Sequence, residues 1–260
     1  MMQIRERPAE HIDEVIEQLD TIIQLTRSMP SRVGFFPALY NKVTLRVAEG
    51  IQRGEFEDNP RMEQLDVVFA NRYIDAWERY YCHQQRDQIT HVWMDSFNMG
   101  DSSRLIIMQH LLLGMNAHIN LDLGVAAATV APGVDLLGLE NDFMMINRLL
   151  ADLVDVVQDE IAALSPWMRW LDRLGGRMDE AIFNFSMRKA RESAWTFARY
   201  LAALPPDERE KAILQRDHEF ARFARLIIYP GRMVDAGRFL IRVRESTDVP
   251  HCIDTLSYRA

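Results

Sequence analysis

The segment from Gln109 to Leu123, QHLLLGMNAHINLDL, restricts what this chain can fold into more than any other. It is apolar enough to lie in the middle of a folded domain, yet it carries His110, Asn116, His118, Asn120 and Asp122. Polar side chains cost free energy when they are buried without partners. A chain containing this segment must either build a polar core whose groups satisfy one another or keep those groups for a function.

The surrounding pattern is helical. Residues 8–28 place Ile12, Val15, Ile16, Leu19, Ile22 and Ile23 on one side, and Pro30 ends the segment. A second helix is expected over 32–52, closed by Gly54. A third is expected from Asn59-Pro60, with Asn59 as cap and Pro60 in the first turn, to about Gln84. A shorter helix over 87–97 precedes Gly100. Asp101-Ser102-Ser103 is then the expected cap of a central helix, about 104–129, which Pro132-Gly133 stops. Further helices are expected over 140–164, 178–203 and 206–229, with a short one after Ser165-Pro166 that ends at Gly175-Gly176. A last helix runs to about 245, and the final fifteen residues read as irregular. No run alternates as a sheet strand does. The expected architecture is therefore all-α: a multi-helix bundle around a buried central helix, in a single helical domain over 1–260, since no Pro/Gly/Ser-rich linker divides the chain.

On the central helix His110, Gly114, His118 and Asp122 stand four apart and form one stripe. His118 and Asp122 are neighbours on it. They could hold one divalent ion (zinc, iron or manganese) through an imidazole nitrogen and a carboxylate oxygen. Asp75 or Asp155 would supply the remaining ligands. His110 lies eight residues before His118, ~12 Å of helix rise, too far to share the ion; its expected role is to orient a ligand or shuttle protons. Gly114 costs roughly 1 kcal/mol relative to Ala. It is expected to admit a backbone, a ligand or a large side chain between the two histidines. Asn116 and Asn120 form a second stripe on another side. Asn71 joins them and Gly114 as a candidate pocket residue, and Arg72 and Arg148 could neutralise buried carboxylates. The bland alternative for the whole group is a satisfied structural network. The 14 methionines and the five tryptophans (Trp77, Trp93, Trp167, Trp170, Trp195) read as core, and Phe35-Phe36 near Tyr40 could line a pocket.

Composition excludes some function classes. The 30 basic and 38 acidic residues give a formal net charge of −8, which argues against a nucleic-acid partner. Two cysteines, Cys82 and Cys252, make no disulfide framework. The 105–131 stretch is long enough to span a bilayer, but its polar residues argue against a membrane partner. No basic start followed by an apolar run marks a signal peptide, so a cytoplasmic location is the default. There is no HExxH, no CxxC, no Glu-x-x-His pair, no glycine-rich phosphate loop and no G-x-S-x-G elbow.

The combination FANRYIDAW (69–77), QHLLLGMNAHINLDL (109–123) and ENDFMMINRLLADLVDVVQ (140–158) resembles an uncharacterised family of bacterial all-helical proteins, a domain of unknown function. That resemblance implies architecture over most of the chain and no activity. HLLLGMNAHINLD is also faintly similar to the zinc-binding helix of the zinc-dependent phospholipase C and single-strand nuclease family. Here Met115 stands where that family has Asp, and the histidine spacing is shorter.

Two functions are expected from these residues. One is a metal-dependent, hydrolase-like enzyme with His118 and Asp122 as ligands and an ion-bound water as nucleophile. The other is a non-catalytic helical protein, binding a small molecule or forming a homo-oligomer, in which the His/Asn/Asp group fixes helix register.

Overall fold

The computed structural model describes residues 4–165 and 187–257, with the side chains of 151, 152, 154, 155 and 232–237 outside that description. Eleven α-helices and no strand lie among the described residues. They are α1 (Ile12–Ser28), α2 (Phe35–Gln52), α3 (Asn59–Tyr81), α4 (His91–Asn98), α5 (Ile107–Ala117), α6 (Leu123–Val130), α7 (Leu136–Leu164), α8 (Met187–Ala203), α9 (Pro206–Ile228), α10 (Arg232–Arg244) and α11 (Val249–Ser257). The expected all-α bundle is what forms.

Its axis is the continuous helix Ile107–Val130, made of α5, a single π-helical stretch over His118–Asp122, and α6. This helix is long and apolar enough to cross a membrane, but its neighbours cover it, and 94% of its most apolar window is buried. A helix that is apolar all round belongs in a core or in lipid, and here it is the core. α2 and α9 pack on α5, while α3 and α8 pack on α6. The α8 approach is close because Gly124 has no side chain: a Cβ there would sit 2.8 Å from the Ala194 carbonyl oxygen and 2.9 Å from the Phe197 ring.

Several boundaries differ from the sequence expectation, each for a local reason. α3 is capped by Asp58, not Asn59: the Asp58 carboxylate accepts from the Arg61 N–H (3.1 Å), and Asn59 and Pro60 fall inside the first turn. The central helix begins at Ile107, and Asp101-Ser102-Ser103 does not cap it. The Gln109 side chain instead turns back to accept from the Ile106 N–H (3.2 Å), and Glu245 accepts from the Ile107 N–H (3.1 Å). α4 is capped from outside its own segment, because Asp217 on α9 accepts from the His91 and Val92 N–H groups (2.7 and 2.9 Å). The tail is not irregular. α11 buries Val249, Cys252, Ile253 and Leu256 at helical spacing against Phe35, Ile107 and Ile161. Each such aliphatic side chain contributes roughly 1.5–3 kcal/mol when fully buried. The short helix after Ser165 and the break at Gly175-Gly176 lie outside the described residues, as do Trp167 and Trp170. Trp77, Trp93 and Trp195 are core, as expected.

Candidate functional site

The two stripes on the central helix face different neighbours. Asn116 donates to the Phe220 carbonyl on α9 (3.0 Å), and Asn120 donates to the Asn116 side-chain oxygen (3.1 Å). Within the π-helical stretch the Asn120 carbonyl accepts from Arg216 Nε (2.8 Å). The Arg216 guanidinium lies between the Phe197 and Phe220 rings, 4.6 Å from each centroid. This side is a satisfied ladder that locks α9 onto the central helix.

The histidine side is different. His118 is buried, and neither ring nitrogen has a hydrogen-bond partner. Its environment is aromatic: the Phe69 ring stacks on it at 3.5 Å between centroids, Tyr40 meets it edge-on at 4.3 Å, and Phe36 does so at 5.6 Å. Burial holds the imidazole below its ordinary pKa although Asp122 opposes the shift, so the ring is neutral at physiological pH. Nδ1 is 3.8 Å from Asp122 Oδ2, within ion-pair range and too long for a hydrogen bond.

Asp122 is occupied elsewhere. Its Oδ1 accepts from Arg72 Nε (2.8 Å) and its Oδ2 from Trp93 Nε1 (2.7 Å). Burial raises its pKa, but Arg72, His118 and Trp93 together outweigh that, and the carboxyl lies below its usual range. The expectation that Arg72 neutralises a buried carboxylate is met here. Asp75 belongs to another group. It pairs with Arg5, which also reaches Glu78 (3.0 Å) and Asn71 (2.5 Å), and Asn71 in turn donates to the Ala9 carbonyl (2.8 Å). Asp155 lies outside the described side chains. Among the described residues no three His, Cys, Asp or Glu side chains come together as a metal site.

His110 is buried away from His118. Its Nε2 contacts the Ser102 carbonyl (3.2 Å), and Phe35 packs edge-on against its ring at 5.8 Å. Burial pulls its pKa down to about 4, so it too is neutral and donates to the carbonyl. Gly114, between the histidines, is covered by the Phe36 ring: a Cβ there would run into it. Of the three uses the sequence allowed for this glycine, admitting a large side chain is the one realised. Gly114, Asn116, Asn120 and Asn71 are thus packing and hydrogen-bonding positions rather than cavity wall.

The cavity itself opens on the His118 side, with a volume of about 260 Å³. α2 contributes Phe36, Tyr40 and Val43. α3 contributes Met62, Asp66 and Phe69, the central helix Met108, Met115 and His118, α7 Leu150 and Val157, and α8 Met187 and Arg191. The expected pocket role is found here for Phe36, beside Tyr40, but not for Phe35, which packs against His110 instead. Met115, which replaces the Asp of the zinc-helix pattern, is an apolar part of the wall.

Few polar atoms reach this wall. Asp66 is buried with Oδ2 unpartnered, and burial, aided by Glu63, pushes its pKa up to about 7. The Tyr40 hydroxyl is buried without a hydrogen-bond partner, and burial holds its pKa well above the phenol range; nearby Thr44 gives its own hydroxyl proton to the Tyr40 carbonyl (3.2 Å). Asp66 and Arg191 were not singled out from sequence. Their only early signal is a charged residue on the apolar side of a helix, at the spacing that continues Met62 to Asp66 and Met187 to Arg191.

The family of unknown function DUF5995 matches residues 12–230. The chain belongs to that family. The match includes the whole central helix, the aromatic cage around His118 and all the cavity-wall residues named above, so in this DUF5995 chain the cavity is part of the matched fold. No curated protein and no solved structure matches it.

Proposed function

We propose that this protein is a non-catalytic binder of an apolar small molecule, held in the cavity beside His118. The observation that carries this reading is the pairing of an apolar void with three wall residues, His118, Asp66 and Tyr40, that have buried polar atoms without partners. Small-molecule sites have that composition, mostly apolar lining with a small number of placed polar groups. An unsatisfied buried donor or acceptor costs about 1–3 kcal/mol, and a ligand's polar atom would remove that cost. Cavities of about 150 Å³ lined by aliphatic and aromatic groups take benzene; in proportion, this one takes a molecule of about ten carbons.

The metal-dependent reading draws on the same helix and fits less well. Asp122 already spends both oxygens on Arg72 and Trp93.

The test is fluorescence of the neutral probe N-phenyl-1-naphthylamine. Wild-type protein is expected to enhance it with saturation, and Leu150→Trp, which fills the cavity from a half-buried wall position, is expected to abolish the enhancement while keeping its helical circular dichroism. No enhancement by the wild type, or equal enhancement by a folded Leu150→Trp, overturns the reading.

A further inference from the structure

Arg191 is buried, on α8, and forms part of the cavity wall. Its Nε donates to Asn147 Oδ1 (2.8 Å), its Nη2 donates to the Phe143 carbonyl (2.5 Å), and the guanidinium lies over the Phe143 ring at 4.6 Å. Every one of these partners is uncharged. They fix the side chain in place and, among the described residues, leave its positive charge unbalanced.

Several buried or half-buried basic groups of this fold are paired with carboxylates, while half-buried Arg216 is held, like Arg191, by neutral partners. Lys42 meets Glu160 at 2.5 Å, Arg72 meets Asp122 at 2.8 Å, and Arg5 meets Asp75 and Glu78. Arg191 has no carboxylate within ion-pair distance among the described residues. Asp66, the acid on the same wall, does not serve: no ion pair joins the two, and neither perturbs the other's titration. Taking an ion out of water costs several kcal/mol even after the protein relaxes. Burial accordingly pulls the Arg191 pKa down to about 9.

A fixed, desolvated guanidinium facing an apolar void is a half-built ion pair. Its planar fork matches a carboxylate in geometry, and its competing water has been removed. The neighbouring wall, Met187 one turn earlier and Ile146 and Leu150 on α7, offers only apolar surface. We infer that the cavity ligand is an amphiphilic anion of the medium-chain carboxylate class, its head on Arg191 and its chain along the apolar wall. This rests on the cavity-binding reading above and adds the charge of the ligand to it.

The experiment is displacement of N-phenyl-1-naphthylamine at pH 8 by decanoate and by 1-decanol, which share a chain and differ in the head. Wild-type protein is expected to bind decanoate at least tenfold more tightly than decanol. Arg191→Met, which keeps length and loses charge, is expected to remove that margin. Equal affinity of the wild type for both, or a decanoate preference that survives in Arg191→Met, overturns the anionic-head assignment and leaves the cavity reading standing. Binding of neither, with the probe itself not bound, overturns both. The wild-type preference is measured without any variant, so a failure of Arg191→Met to fold does not shield the inference.

Discussion

Phe69 lies flat on the His118 imidazole, with centroids 3.5 Å apart and planes 12° from parallel. This contact joins α3 to the π-helical stretch of the central helix and encloses a neutral ring whose nitrogens bond to nothing. The imidazole is therefore held as an aromatic plate, with its polar capacity unspent.

That arrangement makes an unusual prediction for His118→Phe. Both unpartnered nitrogens disappear and the stack is kept, so stability is expected to rise by about 1 kcal/mol in urea denaturation. His118→Ala, which leaves a hole, is expected to lose about 3 kcal/mol. A large loss in His118→Phe would mean that the ring nitrogens hold the fold together after all.

Asp122 presents the opposite case. Asp122→Ala strands the Arg72 guanidinium and the Trp93 N–H at once. Losing one member of a buried ion pair costs about 3–5 kcal/mol; Arg72 is partly exposed, at 29%, and water screens part of that. A loss of about 3 kcal/mol is expected, with a red shift in Trp93 emission as its surroundings open. Equal stability of variant and wild type would show that the Arg72–Asp122–Trp93 set contributes nothing.

The pH dependence has two opposed limbs. His110 has its pKa lowered to about 4 in the fold, so the unfolded chain binds its proton first and stability falls as pH drops from about 6.5 towards 4. His118 acts in the same direction. Asp66 has its pKa raised to about 7, so its contribution is present below about 4 and is lost as pH rises towards 7. Asp66→Asn is expected to stabilise the protein at pH 8 by about 2 kcal/mol or more, since each tenfold change in proton affinity corresponds to ~1.4 kcal/mol and the buried amide is itself imperfectly solvated. At pH 4 it should do nothing. A stability gain of equal size at both pH values would remove Asp66 titration as its cause.

Gly114→Ala sets helix propensity against packing. Propensity favours Ala by about 1 kcal/mol, but the new methyl meets the Phe36 ring, and overpacking a core costs about 1–3 kcal/mol. The expected result is a lower Tm for Gly114→Ala, partly restored in the double variant with Phe36→Leu. Additive losses in that double variant would mean that the two positions do not touch.

The bundle, the central helix and the separation of its two polar stripes were legible in the sequence because each rests on 3.6-residue periodicity. The role of Gly114 was narrowed to three uses, and Phe36 settles which. What escaped has a common physical origin: it depends on partners distant in sequence. Asp217 caps α4 across 125 residues and Glu245 caps α5 across 138, so the local cap signals at Asp101-Ser102-Ser103 pointed elsewhere. α11 was missed because its four buried positions are too few to stand out from an irregular tail. Asp66 and Arg191 were missed because a charge at an apolar helical position looks like a wet face until the neighbouring helices are placed.

The π-helical stretch at His118–Asp122 has one more consequence. It holds one residue beyond what regular winding would need, and a regular helix turns by about 100° per residue. Deleting a single residue there would restore even winding and leave the downstream half of the rod near its present orientation, because five residues at the looser π winding turn through about as much as four in an α-helix. Gly124 would still point at Ala194, and the loss would fall on the stretch's own contacts, the Asn120 carbonyl to Arg216 among them. The looser winding thus takes up one surplus residue without turning the helices packed further along the rod.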